Sequence, residues 1–395
     1  MQHFSTFQII SVGIAIFAMF FGAGNIVYPL MIGMSSGTQV LFGLVGFLLA
    51  TVCLPLAGLI ALILFDGNYE AFFARLGNEQ IKKIAIFISM LIIGPVIAIP
   101  RIVTLSHEMV APFIPFPFLQ TISMSSSLVF ACIFLGITFL AAFKESKLIL
   151  LLGNIIGPLK VGSLAIIIIK GCMTAGSVMH ATGKTNFVLF SQGFVDGFGT
   201  LDLLGAIFFS SIILHLLKEG SRGQQVSRKE LAHVGLKAGL IGVGLLTLMY
   251  TGMTFLGLLH GQGLEQVGAG ELFRLISFKV MGTSGAIVIA LAVLMSCLST
   301  SIALTAVFAE YLQQISPWRI SFGLALAIGV LLCIPLSSFG LGYVLKLAAG
   351  PIILVGYPVL IALTFCNIAY KWFGFKPVRV PVLITLFVAI LNYMR

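Results

Sequence analysis

Charge is what this sequence has least of. Only 9% of its 395 residues are Asp, Glu, Lys or Arg, against about 25% in soluble domains. With 59% hydrophobic residues and a mean hydropathy of +1.15, this scarcity excludes a soluble globular domain. Paired cysteines are missing too: Cys53, Cys132, Cys172, Cys297, Cys333 and Cys366 are scattered through apolar runs with no CxxC, which reads as small buried side chains and not as disulfides or metal ligands. There is no HExxH or paired-Asp cluster to support a membrane-embedded enzyme, and no P-loop to drive a primary pump. No filter-like repeat or ring of like residues suggests a channel. The first apolar run is preceded only by "MQHFST", without Lys or Arg, and no small-residue cleavage site follows, so it reads as a retained span and not a signal peptide.

What is there is a series of apolar runs. Spanning hydrocarbon takes roughly 20 apolar residues in a helix, and backbone groups in lipid must bond within their own segment, which dictates helices and not open strands. We expect spans near 7–33, 40–65, 83–111, 122–142, 148–172, 188–217, 232–259, 282–312, 319–336, 342–369 and 380–394, in one membrane domain covering 1–395. The formal charge of +10 sits in short gaps, as an orientation signal does, and implies lipid and not nucleic acid as the partner. Arg75, Lys82 and Lys83, then Lys144 and Lys147 about Glu145, then Lys218, Arg222, Arg228, Lys229 and Lys237, then Arg319, then Lys371, Lys376 and Arg379 occupy alternate gaps. The intervening gaps hold only Lys170, Lys184, Arg274 and Lys279. The positive-inside rule then places the N-terminus in the cytoplasm.

Two spans are expected to break. The first carries "FFGAGNIVYP" (20–29), with Gly22, Gly24, Asn25 and Pro29. The sixth carries "GFVDGFGTLD" (193–202), with Gly193, Gly197, Gly199, Asp196, Thr200 and Asp202. Each Gly costs a helix about 1 kcal/mol relative to Ala, and a carboxylate at mid-depth costs a few kcal/mol more. The breaks lie five spans apart. They suggest two inverted repeats, 7–175 and 188–369, with 380–394 as an extra helix, and interrupted helices at corresponding positions point to a transporter's central site. Unwinding exposes N–H groups at one half-helix and C=O groups at the other, which suits the two ends of an amino acid. Candidate substrate-binding residues are therefore Phe20, Phe21, Gly22, Ala23, Gly24 and Asn25 with Gly193, Phe194, Asp196, Gly197, Phe198, Gly199 and Thr200. Phe20, Phe21, Phe194 and Phe198 would wall an apolar pocket, while Asn25 offers an amide oxygen to a cation or a donor to the substrate. Asp196 and Asp202 remain open between substrate, cation and helix cap. The competing reading is that these glycines serve helix packing. The eighth span adds Ser296, Ser299, Thr300, Ser301 and Thr305, hydroxyls on one face that either ligate a small cation or bond back to their own helix.

"FAMFFGAGNIVYP", "GPVIAIPR" (94–101) with Ser106 and Glu108, and the Gly/Asp-rich sixth span resemble the branched-chain amino acid:cation symporter family, the bacterial BrnQ-type carriers, over most of the chain. The resemblance implies an all-α protein with a LeuT-like five-plus-five core and discontinuous helices 1 and 6. It also implies Na⁺- or H⁺-coupled uptake of leucine, isoleucine and valine through the inner membrane, with no other cofactor and no enzymatic activity. The alternatives are a carrier of another neutral or aromatic amino acid or a nucleobase, and a passive channel. Carried over from the fold, a Na⁺ site would comprise the Ala18 and Phe21 carbonyls with Ser296, Ser299 and Thr300. Two features depart from the family: the chain is shorter than its usual twelve spans, and Lys160 lies near the middle of the fifth span. In some related carriers a fifth-span lysine stands where Na⁺ would sit, its ammonium holding the same oxygens, so Lys160 is a cation-coupling candidate; otherwise it snorkels or lines a water cavity.

Arg101 and Glu108 lie seven apart on the third span and tolerate lipid poorly. A gating or structural ion pair is the primary reading, and direct substrate contact the sharper alternative. His107, His215 and His260 sit near span ends and are expected to be structural or interfacial, with a proton relay as the alternative. Tyr28, Tyr343, Tyr357, Trp318 and Trp372 are read as interfacial anchors.

Overall fold

The computed structural model describes residues 4–143, 157–174, 182–220, 228–316 and 320–394. Lys144, Glu145, Lys147, Arg222, Trp318 and Arg319, on which part of the loop reading rests, lie outside the described residues, as do the side chains of His215, Lys218, Arg228 and Lys229.

The chain is all-helical among the described residues. The first span is two helices, α1 (Thr6–Phe20) and α2 (Ala23–Ser36). The second is α3 (Val40–Leu48) and α4 (Leu54–Leu64), the third α5 (Glu79–Leu91) and α6 (Ala98–Val110). The fourth is α7 (Met124–Ala142) and the fifth contains α8 (Gly157–Met173). The sixth is α9 (Asn186–Phe198) and α10 (Asp202–Gly220), and the seventh α11 (Arg228–His260). Then come α12 (Ala269–Ile315), α13 (Phe322–Ser337), α14 (Leu341–Ala349), α15 (Tyr357–Phe373) and α16 (Arg379–Met394). Among the described residues, seven helical segments are long and apolar enough to cross a membrane, and three shorter apolar helices accompany them.

Both expected breaks are present. α1 stops at Phe20, Phe21 turns out of the helix (φ −71°, ψ 84°), and Gly22 in extended backbone (φ −106°, ψ −158°) begins α2. In the sixth span, Gly199–Leu201 separate α9 from α10, and Leu201 adopts φ +64°, a region costly for a side chain other than Gly or Asn.

Further interruptions were not expected from the sequence. Wide π turns occupy Leu49–Cys53, Ile92–Val96 and Ile352–Gly356, so the second, third and tenth spans are not plain helices either. Pro55, Pro95 and Pro358 lie within or just beyond these turns. Each lacks the N–H that would continue the regular ladder, and the wider turn accommodates the missing bond. The gap before the eighth span is also helical: Ala269 begins a segment that kinks at Gly282 (φ +70°) before the span itself.

The packing partners follow an exchanged pattern. α1 and α2 lie along α11, while α9 and α10 lie along α3 and α4. The first span thus packs on the seventh and the sixth on the second, as an approximate twofold relation between two five-helix units requires. Both seams rely on bare glycine. A Cβ at Gly33 or Gly257 would strike the backbone carbonyl of Thr254 or Leu30, and one at Gly46 or Gly193 that of Phe190 or Gly43. Gly193 and Gly197, placed among the substrate contacts by the sequence, are therefore helix-packing positions: Gly197 lies against Ala50 and the Phe47 carbonyl.

Gly193→Ala is expected to force α3 and α9 apart and lower the thermal unfolding midpoint of the purified protein, overpacking costing typically about 1–3 kcal/mol. An unchanged midpoint would refute so close a seam.

Candidate functional site

The two breaks face each other in the middle of the bundle, and a polar cluster joins them. Asn25, buried on the first turn of α2, uses its oxygen to accept the Gly22 N–H at 3.0 Å. Its amide nitrogen donates to both oxygens of Asp202, at 2.8 and 2.9 Å, and is also bonded to the Tyr250 hydroxyl. Tyr250 of α11 donates to Asp202 Oδ2 at 2.7 Å. Asp202 opens α10, where a carboxylate meets the positive end of the helix dipole. Beside it the Leu203 N–H donates to the Tyr357 hydroxyl at 3.0 Å. The amide oxygen of Asn25 thus caps its own helix, and its amide nitrogen is bonded to Asp202 and Tyr250. Tyr357 is 1% exposed, and it serves the sixth-span break instead of anchoring at the interface.

Arg101 and Glu108 do not pair. The guanidinium, 4% exposed, points at the sixth-span break. There Nη1 bonds the Gly199 carbonyl and Nη2 donates to that of Thr200 at 3.2 Å. Those carbonyls, expected to face an ammonium or cation, are held by arginine because the end of α9 leaves its acceptors unpaired in a dry interior. Gly24 makes room for the same group: a Cβ there would stand 2.9 Å from Arg101 Cζ. Tyr28 also faces Arg101 and is not an interfacial anchor. Glu108, two turns on, lies near the α12 and α14 N-termini and accepts from the backbone N–H groups of Gly270 and Leu341, while Arg274 donates to its backbone carbonyl at 3.4 Å. Arg274 and two helix starts, not Arg101, face its carboxyl group.

Lys160 reaches the end of α1. Its ammonium, 2% exposed, donates to the Ala18 carbonyl at 3.0 Å and the Phe21 carbonyl at 2.7 Å. These are the acceptors that the end of α1 leaves unpaired. Ser296 Oγ also donates to Phe21 O, at 3.2 Å. Ser299 and Thr300 instead donate to the Ser296 carbonyl, at 2.7 and 3.2 Å, and Thr305 to that of Ser301 at 2.6 Å, the back-bonding habit of hydroxyls in membrane helices. This set does not fit Na⁺: its two carbonyls already hold a cation tethered to α8, and a second charge would repel it.

Between the clusters lies a cavity of ≈ 40 Å³. Asn25, Arg101, Asp202 and Thr300 line its polar side, with Gly22, Ala23 and Thr200; Met19, Phe20, Ile93, Ile102, Phe209 and Leu304 line its apolar side. Phe20 was expected there. Phe21 is instead stacked between Phe17 and Tyr250, while Phe194 meets Phe198 edge to face and Phe198 stacks on Tyr357, outside the cavity lining. Asp196 does not line it either. Phe209, seven residues beyond Asp202, supplies the wall the sequence assigned to those aromatics. Tyr250 and Phe209 carried little sequence signal: one hydroxyl among Thr247, Thr251 and Thr254 in the seventh span, and one more Phe among 34. His107 is structural: it bonds the Leu119 carbonyl at 3.0 Å and stacks on Phe130. His260 contacts the Gly171 carbonyl at 2.8 Å.

Comparison with known proteins bears on this arrangement. Residues 5–395 match the family model described as branched-chain amino acid transport protein. The chain is 33% identical over 371 residues to the branched-chain amino acid permease BraB of Bacillus subtilis, covering 92% of this chain and 80% of that protein. It is 30% identical over 395 residues to the permease BrnQ of Escherichia coli K12, covering 98% and 87%. Among solved structures, the inward-facing conformation of Mhp1 aligns with a TM-score of 0.62 at 13% identity, over 98% of this chain and 89% of that one. MhsT in complex with L-phenylalanine aligns at 0.60 and 16% identity, over 98% of each. These likenesses establish the fold as the LeuT-like inverted repeat with helices 1 and 6 discontinuous.

The Asn25–Asp202 link is testable by a double-mutant cycle. Asn25→Ala should destabilise the purified protein by about 1.5–3 kcal/mol, the worth of a hydrogen bond to a charged group. Added to Asp202→Asn it should cost markedly less; strictly additive losses would refute the coupling.

Proposed function

Because the chain belongs to the branched-chain amino acid transport protein family, we propose that it imports leucine, isoleucine and valine through the cavity between its two helix breaks, with Lys160 in place of a coupling Na⁺. The protein is a secondary transporter and not an enzyme. The placement of the Lys160 ammonium on the Ala18 and Phe21 carbonyls carries the reading of the coupling ion. Transport is then driven by H⁺ or proceeds without a coupling ion. The alternation of basic loops supports a bacterial inner-membrane protein with its N-terminus in the cytoplasm.

The cavity's chemistry supports the substrate class. One side carries polar and charged groups from both breaks; the other is aliphatic and aromatic and offers no hydrogen bond to a side chain. Such a wall distinguishes neighbouring aliphatic residues by only about 1–3 kcal/mol per methylene, so the three substrates should compete. At ≈ 40 Å³ the space is far below the roughly 300–1,000 Å³ of ligand pockets. The conformation is therefore closed around the site, and Phe20, Phe209 and Leu304 must part for a substrate to enter.

Reconstituted protein should accumulate labelled leucine in Na⁺-free buffer at acid pH. Lys160→Ala should reduce that uptake by roughly tenfold or more, since it removes charge-assisted bonds worth about 1.5–3 kcal/mol each. Uptake that disappears without Na⁺ at every pH would overturn the role given to Lys160. If none of the twenty amino acids competes and no leucine accumulates, the substrate assignment is wrong.

A further inference from the structure

The two buried charges beside the cavity are each held by neutral groups alone. Arg101 is bonded to the backbone carbonyls of Gly199 and Thr200. Asp202 is bonded to the amide of Asn25 and the hydroxyl of Tyr250. The two are electrostatic neighbours, yet no ion pair joins them among the described residues. A buried charge without a counter-charge is costly, and here one of each sign lines the same cavity.

Arg101 also has unused capacity. A guanidinium carries five N–H donors; two face the carbonyls and the Tyr28 hydroxyl is a further partner, while Nε has no hydrogen-bond partner although it is buried. The Nε–H and a neighbouring Nη–H form a planar edge that matches the two oxygens of a carboxylate. Asp202, which lines the same cavity, has as partners a neutral amide, a phenol and the Thr200 hydroxyl, and an ammonium group would be a better one.

We propose that Arg101 and Asp202 take the two ends of the substrate: the arginine edge receives the α-carboxylate and the aspartate receives the α-ammonium. This assignment rests on the amino-acid carrier reading and deepens it. Side chains, in place of the bare backbone at the breaks, then read the zwitterion. That fits the observation that the α9 carbonyls and the Gly22 N–H are already bonded within the protein. The bound substrate supplies each buried charge with the counter-charge it lacks, so affinity depends on both ends together.

Ligands that each lack one end test this on the unmodified, purified full-length protein. The probes are leucine, isoamylamine (no carboxylate) and 4-methylpentanoate (no ammonium), each competed against labelled leucine. Removing either end should weaken binding by at least about 100-fold, because the site's matching group is left buried and unpaired. In Arg101→Gln the advantage of leucine over isoamylamine should collapse while its advantage over 4-methylpentanoate remains. In Asp202→Asn the pattern should reverse, and Arg101→Lys should keep part of the carboxylate preference. Wild-type protein that binds leucine and either analogue alike overturns the assignment without any variant, as does a folded variant in which all three ligands weaken in proportion. Wild-type protein that binds no leucine fails at the carrier reading itself and takes the assignment with it.

Discussion

Everything at the centre of this molecule follows from interrupting two helices where there is no water to satisfy the exposed groups. A helix that stops in a dry interior leaves acceptors at one end and donors at the other, each needing a partner from elsewhere in the chain. Lys160 from the fifth span answers the end of α1. Arg101 from the third answers the end of α9, and Tyr357 from the tenth answers the start of α10. The two cations sit on corresponding carbonyl ends of the two repeats. The negative dipole at each C-terminus favours a positive charge there.

Having brought cations in, the fold must keep them from attracting the wrong neighbours. Glu108 lies on the same helix as Arg101 but is turned to the starts of α12 and α14. Asp202 is held by Asn25 and Tyr250 instead of collapsing onto the guanidinium. Neutral hydrogen bonds therefore position the charges, and the space between them stays open to a ligand.

Much of this was legible in the residues. Gly22, Gly24 and Asn25 with Gly199 and Asp202 announced the breaks, because no lipid-facing helix has reason to carry them. A lysine amid "GNIIGPLKVGSLAIIIIKG" raised the end of the first helix as one place for its ammonium, with snorkelling or a water cavity as the other. Less legible was the direction of each side chain. Spacing put Arg101 and Glu108 on one helical face but could not say that helix ends from distant segments lay nearer to each than they did to one another. Gly193 and Gly197 likewise looked like part of the break and are its packing surface, because a glycine that frees the backbone and one that admits a neighbour look the same in one dimension. The π turns at Leu49–Cys53 and Ile352–Gly356 left only a following proline as their signal.

The glycine seams set how closely the two five-helix units meet. Where α2 meets α11 at Gly33 and Gly257, and α3 meets α9 at Gly46 and Gly193, main chain lies directly on main chain, with no side chains between them to slide or change rotamer. Each pair is thereby closely seated, and the non-helical breaks in the first and sixth spans are Phe21–Gly22 and Gly199–Leu201. Those breaks also line or flank the cavity, so a ligand seated there meets both at once.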